Sequence, residues 1–327
     1  MNVSWPRFVE LIRAHQRFML VSHVRPDCDA LGSELGMAAV LEALGKQVRI
    51  VNGQATPPNL AFIDPDRRIK AIGVDIQAAE LADVEVIMIL DTSAWIQLGP
   101  MADVIRRQAA VKMVLDHHVS EDDLGAELFK DTTAEATGRL VVDAASQLGV
   151  PLTPRMAIPL FAAVATDTGW FRFASTTPNT YRVAAALVEA GAQPQNIYRQ
   201  LHEQDSLARL KLIGRTLSHA ESELDGRLIH TRITREDFEA TGALPSDTED
   251  IINMTLGVRG TEVAVIFVEQ ASGAYKISFR SRSAVDCSRL AQRFAGGGHK
   301  AAAGATVEGS FADVSRRVLD ATREAMQ

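Results

Sequence analysis

The sequence predicts an α/β protein: a parallel-sheet N-terminal domain with helices on both faces and a smaller C-terminal α/β domain with a mixed sheet, joined by a helical linker. Three observations predict it. Short Val- and Ile-rich runs alternate with longer Ala/Leu segments of helical period through the first half of the chain. Those runs are apolar almost throughout, as parallel strands covered on both faces are. From about Leu228 the runs alternate apolar with polar residues, which suits a sheet exposed on one face. The corresponding boundaries are 1–192 for the first domain, 193–222 for the linker and 223–327 for the second domain.

In chain order, M-N-V-S-W-P-R-F-V-E-L-I-R-A-H carries Phe8, Leu11 and Ile12 at helical spacing and lacks the basic-then-apolar pattern of an export signal. It reads as the first helix of a cytoplasmic protein. R-F-M-L-V-S, G-S-E-L-G-M-A-A-V-L-E-A-L-G and Q-V-R-I-V-N follow as strand, helix and strand. V-E-V-I-M-I-L, ending at Leu90, and V-K-M-V-L, residues 111–115, read as two more strands, and helices are expected near 134–148 and 154–166. T-P-N-T-Y-R-V-A-A-A-L-V-E-A-G-A adds a helix with Thr177 near its start, Pro178 at an early position and Gly191 as its stop. A polar helical connector spans roughly 195–222, and E-V-A-V-I-F-V-E (262–269) and Y-K-I-S-F-R (275–280) are strands of the second domain. No apolar run reaches the roughly 18 to 20 residues of a membrane span, so a soluble chain is expected.

The net charge of -7 argues against a protein that grips long duplex nucleic acid through a broad cationic surface, while 34 Lys and Arg leave room for a local basic patch and a small anionic ligand. Cys28 and Cys287 are far apart and outside any C-x-x-C spacing, which fits a reducing compartment. A homodimer is compatible with the sequence, which does not decide the oligomeric state.

Chemistry concentrates where the apolar runs end. His23, Asp27 and Asp29 follow the first strand in V-S-H-V-R-P-D-C-D-A-L-G-S; Asp91 follows the third in L-D-T-S; Asp116, His117 and His118 follow the fourth in L-D-H-H; and Asp167 stands in A-T-D-T-G at a helix end. The carboxyl ends of strands in open α/β sheets face the ligand crevice. If the four aspartates 27, 29, 91 and 167 converge, each like-charged pair at roughly 4 Å and an effective dielectric near 20 costs about 4 kcal/mol. Such acids would protonate or splay apart unless cations sat among them, and two divalent ions neutralise four carboxylates. Imidazoles among oxygen ligands suit manganese better than calcium, and the set is unlike a thiolate-rich structural zinc site.

This ordered set resembles the DHH phosphoesterases, named for the motif formed here by Asp116, His117 and His118, and R-F-A-G-G-G-H-K-A-A-A-G (293–304) resembles the signature of their C-terminal associated domain. The branch it is most similar to comprises nanoRNase and pAp phosphatase enzymes, which act on very short single-stranded oligonucleotides and on 3′-phosphoadenosine 5′-phosphate (pAp). The resemblance implies two metal ions, one held by His23, Asp27 and Asp91 and the other by Asp29, Asp91, His117 and Asp167, with Asp91 as bridge. It implies that His118 faces the substrate, either stabilising phosphoryl oxygens or protonating the leaving oxygen, and that Asp116 orients the neighbouring histidine. Cys28 departs from the family's usual glycine; it is either a soft, redox-sensitive extra ligand or a small side chain in glycine's place.

The second half of a substrate grip is expected from Gly296, Gly297, Gly298 and His299, whose backbone N–H groups can turn toward an anion. Arg280 and Arg282, two apart in a strand, would share one face and grip phosphate. W-F-R-F (170–173) is either core or a base-stacking surface, with Arg172 the member nearest to substrate chemistry. Rival readings are an inorganic pyrophosphatase, a RecJ-type exonuclease, a phosphodiesterase for linear dinucleotides from cyclic-dinucleotide turnover, and a non-catalytic nucleotide sensor.

Overall fold

The computed structural model describes residues 3–327, which form two compact units that divide between Gln204 and Asp205. The unit boundary falls inside the stretch expected to be a linker, where two helices are separated by a short break at residues 203–206.

The first unit runs α1 (Trp5–Ala14), β1 (Arg17–Val21), α2 (Cys28–Ala43), β2 (Gln47–Asn52), β3 (Ile69–Ala71), β4 (Val86–Leu90), α3 (Met101–Arg107), β5 (Val111–Asp116), β6 (Glu127–Lys130), α4 (Thr137–Leu148), α5 (Pro154–Asp167), α6 (Pro178–Glu189) and α7 (Pro194–His202). Its six strands are all parallel, in the order β3-β2-β1-β4-β5-β6. Side chains alternate between two cores, as the two-residue strand period requires. Phe18, Leu20, Val86, Met88 and Leu90 join the core beneath α1, α2, α4 and α5, and Met19, Val21, Ile87 and Ile89 join the core beneath α3. The short strands β3 and β6 escape the sequence reading because three- and four-residue segments carry little periodicity. The strand before L-D-T-S is therefore the fourth in the chain rather than the third, and the strand before L-D-H-H the fifth.

Helix α2 is buried along nearly its whole length, and glycines let it approach α5. A Cβ on Gly32 would stand 2.4 Å from Pro159 O, and one on Gly36 would stand 2.5 Å from Leu160 Cδ2. This close approach brings the first turn of α2 toward the last turn of α5, which carry Asp29 and Asp167. On the sheet side, Asn52 Nδ2 donates to Glu34 Oε2 at 2.9 Å, while Asn52 Oδ1 accepts from the Ser22 N–H at 3.0 Å. The Glu34 carboxyl thus braces the exit of β1 one residue before His23.

The second unit runs α8 (Leu207–Ser218), β7 (Glu221–Glu223), β8 (Leu228–Ile233), α9 (Arg235–Thr241), α10 (Ile251–Leu256), β9 (Val263–Glu269), β10 (Tyr275–Ser281), α11 (Cys287–Gln292), β11 (Gly297–Gly298), β12 (Ala302–Val307) and α12 (Phe311–Ala325). Its mixed sheet has the order β11-β12-β10-β9-β8-β7, with β8 and β9 parallel and the other pairs antiparallel. The expected sheet with one exposed face needs correction at β9. Val263, Val265 and Phe267 pack into a core with α11 and α12, and Ala264, Ile266 and Val268 into another with α8 and α10, so this strand is covered on both sides. Exposure falls on other strands, as at β10, where Lys276 faces solvent between half-buried Tyr275 and buried Ile277.

Burial pushes the Glu34 carboxyl up to about 8. The folded state therefore favours the neutral acid, and this contribution to stability is present below the usual glutamate range and lost as pH rises toward 8. Glu34→Gln, which stays neutral, should gain stability relative to wild type as pH increases. Urea midpoints at about pH 5 and about pH 9 should diverge in its favour at the higher pH; a constant difference would show that Glu34 is ionised throughout.

Candidate metal centre

The strand order of the first unit reverses between β1 and β4, and in open parallel sheets the crevice lies at such a reversal, outside the carboxyl ends. The motif residues leave from this edge. His23 lies two residues beyond β1; Asp27 caps α2 by accepting from the Ala30 N–H at 3.0 Å; Asp29 sits in that helix's first turn. Asp91 follows β4, Asp116 ends β5 with His117 and His118 next, and Asp167 ends α5. Asp91 takes a left-handed backbone at φ +60°, a conformation uncommon outside glycine though better tolerated by aspartate than by most residues.

These side chains converge. His23 Nε2 is 3.3 Å from Asp91 Oδ2 and 3.9 Å from Asp27 Oδ1. His117 Nε2 is 3.5 Å from Asp91 Oδ1, 3.5 Å from Asp167 Oδ2 and 3.8 Å from Asp29 Oδ2. Three groups able to hold a metal result: His23 with Asp27 and Asp91, Asp29 with His117 and Asp167, and Asp91 with His117 and His118. The separations exceed ordinary hydrogen bonds and lie near the ~3.0–3.5 Å expected between two ligand atoms each ~2.1 Å from one ion.

The histidine tautomers provide a test of fit. Nδ1 of His23 is 3.1 Å from Val24 O and Nδ1 of His117 is 3.1 Å from Ala134 O. A carbonyl only accepts, so each ring donates from Nδ1 and, when neutral, turns its Nε2 lone pair toward carboxylate oxygens. Acceptor then faces acceptor, and a cation between them removes the conflict. The acids carry the same signature. Burial pushes Asp29 and Asp91 upward, with neighbouring Asp29 and Asp27 adding to the rise at Asp91. Burial and then Asp29 lift Asp167 to about 6. The donor set of imidazole and carboxylate therefore suits divalent cations.

The scaffold holds these acids without using all their lone pairs. Asp29 accepts from the N–H groups of Thr137 at 2.7 Å and Gly138 at 2.8 Å, at the start of α4, and from Ser33 Oγ at 3.2 Å. Thr137 Oγ1 donates to Asp91 Oδ1 at 2.9 Å. Gly138 is required by space, since a Cβ there would stand 2.7 Å from Ala163 Cβ. The sequence reading gives Thr137, Gly138 and Ser33 no role in the site. Thr137 and Gly138 fall within the helix expected near 134–148, and Ser33 closes the 21–33 stretch without an assigned role.

Asp116 is fully buried and holds His118 twice, accepting from its Nδ1 at 2.8 Å and its backbone N–H at 3.1 Å. Burial would raise this carboxyl, but the bonds from His118 and Ser93 keep it below the usual range, and Asp116 in turn raises His118. Asp116 therefore orients His118, while Ala134 O turns His117. With Nδ1 occupied, His118 has Nε2 free for solvent or a ligand.

Other expected site residues are placed differently from one another. Cys28 takes a buried helical position without positive φ, and burial, then Asp27 and Asp29, push its thiol up to about 12. A small side chain filling glycine's place accounts for it. Trp170 and Phe171 pack about Phe161, with centroids 6.1 and 6.0 Å away, so these two rings are largely core. Phe173 and Arg172 are exposed, and Arg172 Nε donates to Gly169 O at 2.7 Å.

In the second unit, Arg280 lies on β10 opposite Ala302, but Arg282 is beyond the strand end and its guanidinium bonds to Leu256 O, so the expected shared face is corrected. The glycine run is also not an open row of N–H groups. Gly296 N–H donates to Ala291 O at 2.9 Å and His299 N–H to Ala302 O at 2.8 Å. A Cβ on Gly296 would meet Gly304 O at 2.2 Å and Gly298 has φ +145°, whereas a Cβ on Gly297 would meet nothing within 4 Å.

A divalent cation should raise the melting temperature of the wild-type protein, on the order of 5 °C at saturating concentration. Asp91→Asn should lose most of that rise because Asp91 belongs to two of the ligand groups. An equal rise in both proteins, followed by calorimetric melting, would place the cation elsewhere.

Compared with known proteins, residues 17–164 match the DHH family N-terminal domain and residues 227–327 match the DHHA1 domain. The chain is 31% identical over 340 residues to the bifunctional oligoribonuclease and PAP phosphatase NrnA of Thermus thermophilus, covering 99% of this chain and 97% of that protein. It is 27% identical to the protein of the same name from Bacillus subtilis, covering 91% and 92%. The fold is shared with a crystal structure of an exopolyphosphatase-related protein from Bacteroides fragilis, with a TM-score of 0.83, 25% identity and coverage of 98% and 94%. Both halves of the chain thus carry the family's domains in order, and the acids and histidines at the strand ends fall in the first of them. The chain belongs to the DHH family of phosphoesterases.

Proposed function

We propose that the protein is a metal-dependent hydrolase that cleaves short oligonucleotides to mononucleotides and removes phosphate from pAp. The observation that carries this is Asp91, a buried carboxylate whose two oxygens face different histidines, Oδ2 toward His23 and Oδ1 toward His117. The names of the Thermus and Bacillus relatives support the substrate class. His23, Asp27 and Asp91 would hold one ion, and Asp29, Asp91, His117 and Asp167 a second, with manganese favoured by the mix of imidazole and carboxylate. When bound, such a pair supplies charge neutralisation at the phosphoryl group and activation of water for in-line attack.

The chain's own residues supply the rest. Asp29 and Asp91, fixed by Thr137 and Gly138, hold the site's geometry before any ligand arrives. His118 presents Nε2 to the phosphoryl or leaving oxygen, its ring held by Asp116. Arg172 in the first unit, and Arg280 and His299 in the second, each carry cationic or hydrogen-bonding groups suited to phosphate. Gly297 has no steric reason to be glycine, and we assign it to leaving room for substrate beside His299. The acidic chain suits short substrates over long duplex nucleic acid. Among the described residues no helix is long and apolar enough to cross a membrane.

Incubated with manganese, the protein should release phosphate from pAp and mononucleotide from a diribonucleotide, and Asp91→Ala should lower turnover by at least about 10³-fold. Binding of both substrates with no product from either would overturn the hydrolase reading in favour of a nucleotide sensor.

Gly297→Ala should fold normally and raise KM for the dinucleotide with little change in kcat. Unchanged KM would remove Gly297 from the substrate surface.

A further inference from the structure

A lysine is buried behind the catalytic histidine. Lys130 is the last residue of β6 and pairs in register with Asp116 at the end of β5. Its side chain is 6% exposed. Nζ donates to Ser93 Oγ at 2.8 Å and to Ser120 O at 3.0 Å, and lies 3.5 Å from Asp116 Oδ2 and 3.3 Å from Glu121 Oε2. Ser93 Oγ is also 2.8 Å from Asp116 Oδ2 and 2.8 Å from Ser120 O. A hydroxyl has one proton. Of its two acceptors at equal distance, the charged Asp116 carboxylate competes for the Ser93 proton better than the Ser120 carbonyl, which Lys130 already serves.

The bonds form a continuous chain. Lys130 donates to Ser93, Ser93 donates to Asp116 Oδ2, and Asp116 Oδ1 accepts from the backbone N–H and Nδ1 of His118. Both carboxylate oxygens of Asp116 are therefore occupied, which fixes the carboxylate plane and with it the ring it holds. The chain also ties the loop after β4, the loop after β5 and the end of β6 to one ammonium. Burying an ammonium carries a desolvation cost of several kcal/mol, so a well-packed apolar residue at the edge of the sheet would stabilise the fold at least as well. The charge is better explained by the orientation it enforces.

We propose that Lys130, acting through Ser93 and Asp116, is a positioning residue that locks His118 with Nδ1 inward and Nε2 toward the substrate. This rests on the phosphoesterase reading only where turnover is the readout. Lys130 Nζ is paired with Ser93, Ser120, Asp116 and Glu121, none of them among His23, Asp27, Asp29, Asp91, His117 and Asp167, so cation binding by those six should not depend on it. Its loss should appear in kcat and vanish once His118 itself is gone.

The test is a double-mutant cycle with a spectroscopic control. Lys130→Met should lower kcat about 10- to 100-fold with KM and the cation-induced rise in melting temperature retained. In a His118→Ala background it should have no further effect. An equal loss in both backgrounds, no loss in either, or loss of the cation response would overturn the proposal. Ser93→Ala runs the same cycle should Lys130→Met fail to fold. Histidine ¹⁵N NMR in alkaline solution answers without turnover and so remains decisive if the wild-type protein proves inactive: His118 should be a single Nδ1–H tautomer in wild type and a mixture in the variant. An unchanged single tautomer would overturn the assignment.

Discussion

The constraint on which the first unit depends is the crowding of hydrogen-bond acceptors at one sheet edge. Asp29 and Asp91 are nearly inaccessible to solvent, and His23 and His117, whose Nδ1 atoms face backbone carbonyls, turn Nε2 toward the site's carboxylates. An interior normally pairs each buried polar atom with a partner of opposite character. Here the pairing is left incomplete on the side facing the crevice, while the far side of each acid is satisfied by protein. That division separates a ligand cage from a collection of surface carboxylates.

The scaffold bears this crowding through features whose purpose is visible only in three dimensions. Two N–H groups at the start of α4 meet Asp29, where the positive end of the helix dipole favours a carboxylate. Gly32, Gly36 and Gly138 let α2, α4 and α5 approach until their ends share one small volume. Asp91 takes a left-handed turn at the tip of β4. The reversal between β1 and β4 supplies the gap into which all of these point.

Much of this was legible in the sequence because strand ends and chemistry coincided: Asp91, Asp116 and Asp167 each punctuate an apolar or helical run. The buried parallel strands were legible from their uniform hydrophobicity, and the α6 start from Thr177 and Pro178, which cap it as expected. What stayed hidden falls into two kinds. Strands β3 and β6 are too short for a periodic signal. Thr137, Gly138, Ser93 and Lys130 are ordinary residue types whose roles come from partners far away in the chain. Arg282 failed for a third reason: alternation holds only while a strand lasts, and β10 ends at Ser281.

The central claim is that cations, rather than protons, relieve the crowding about Asp91. Anomalous diffraction from crystals grown with manganese measures this directly. Two peaks should stand about 3.5–4 Å apart on either side of the Asp91 carboxylate, one bounded by His23 and Asp27, the other by Asp29, His117 and Asp167. Density showing no ion there at saturating manganese, with the four aspartates in the same positions, would contradict it.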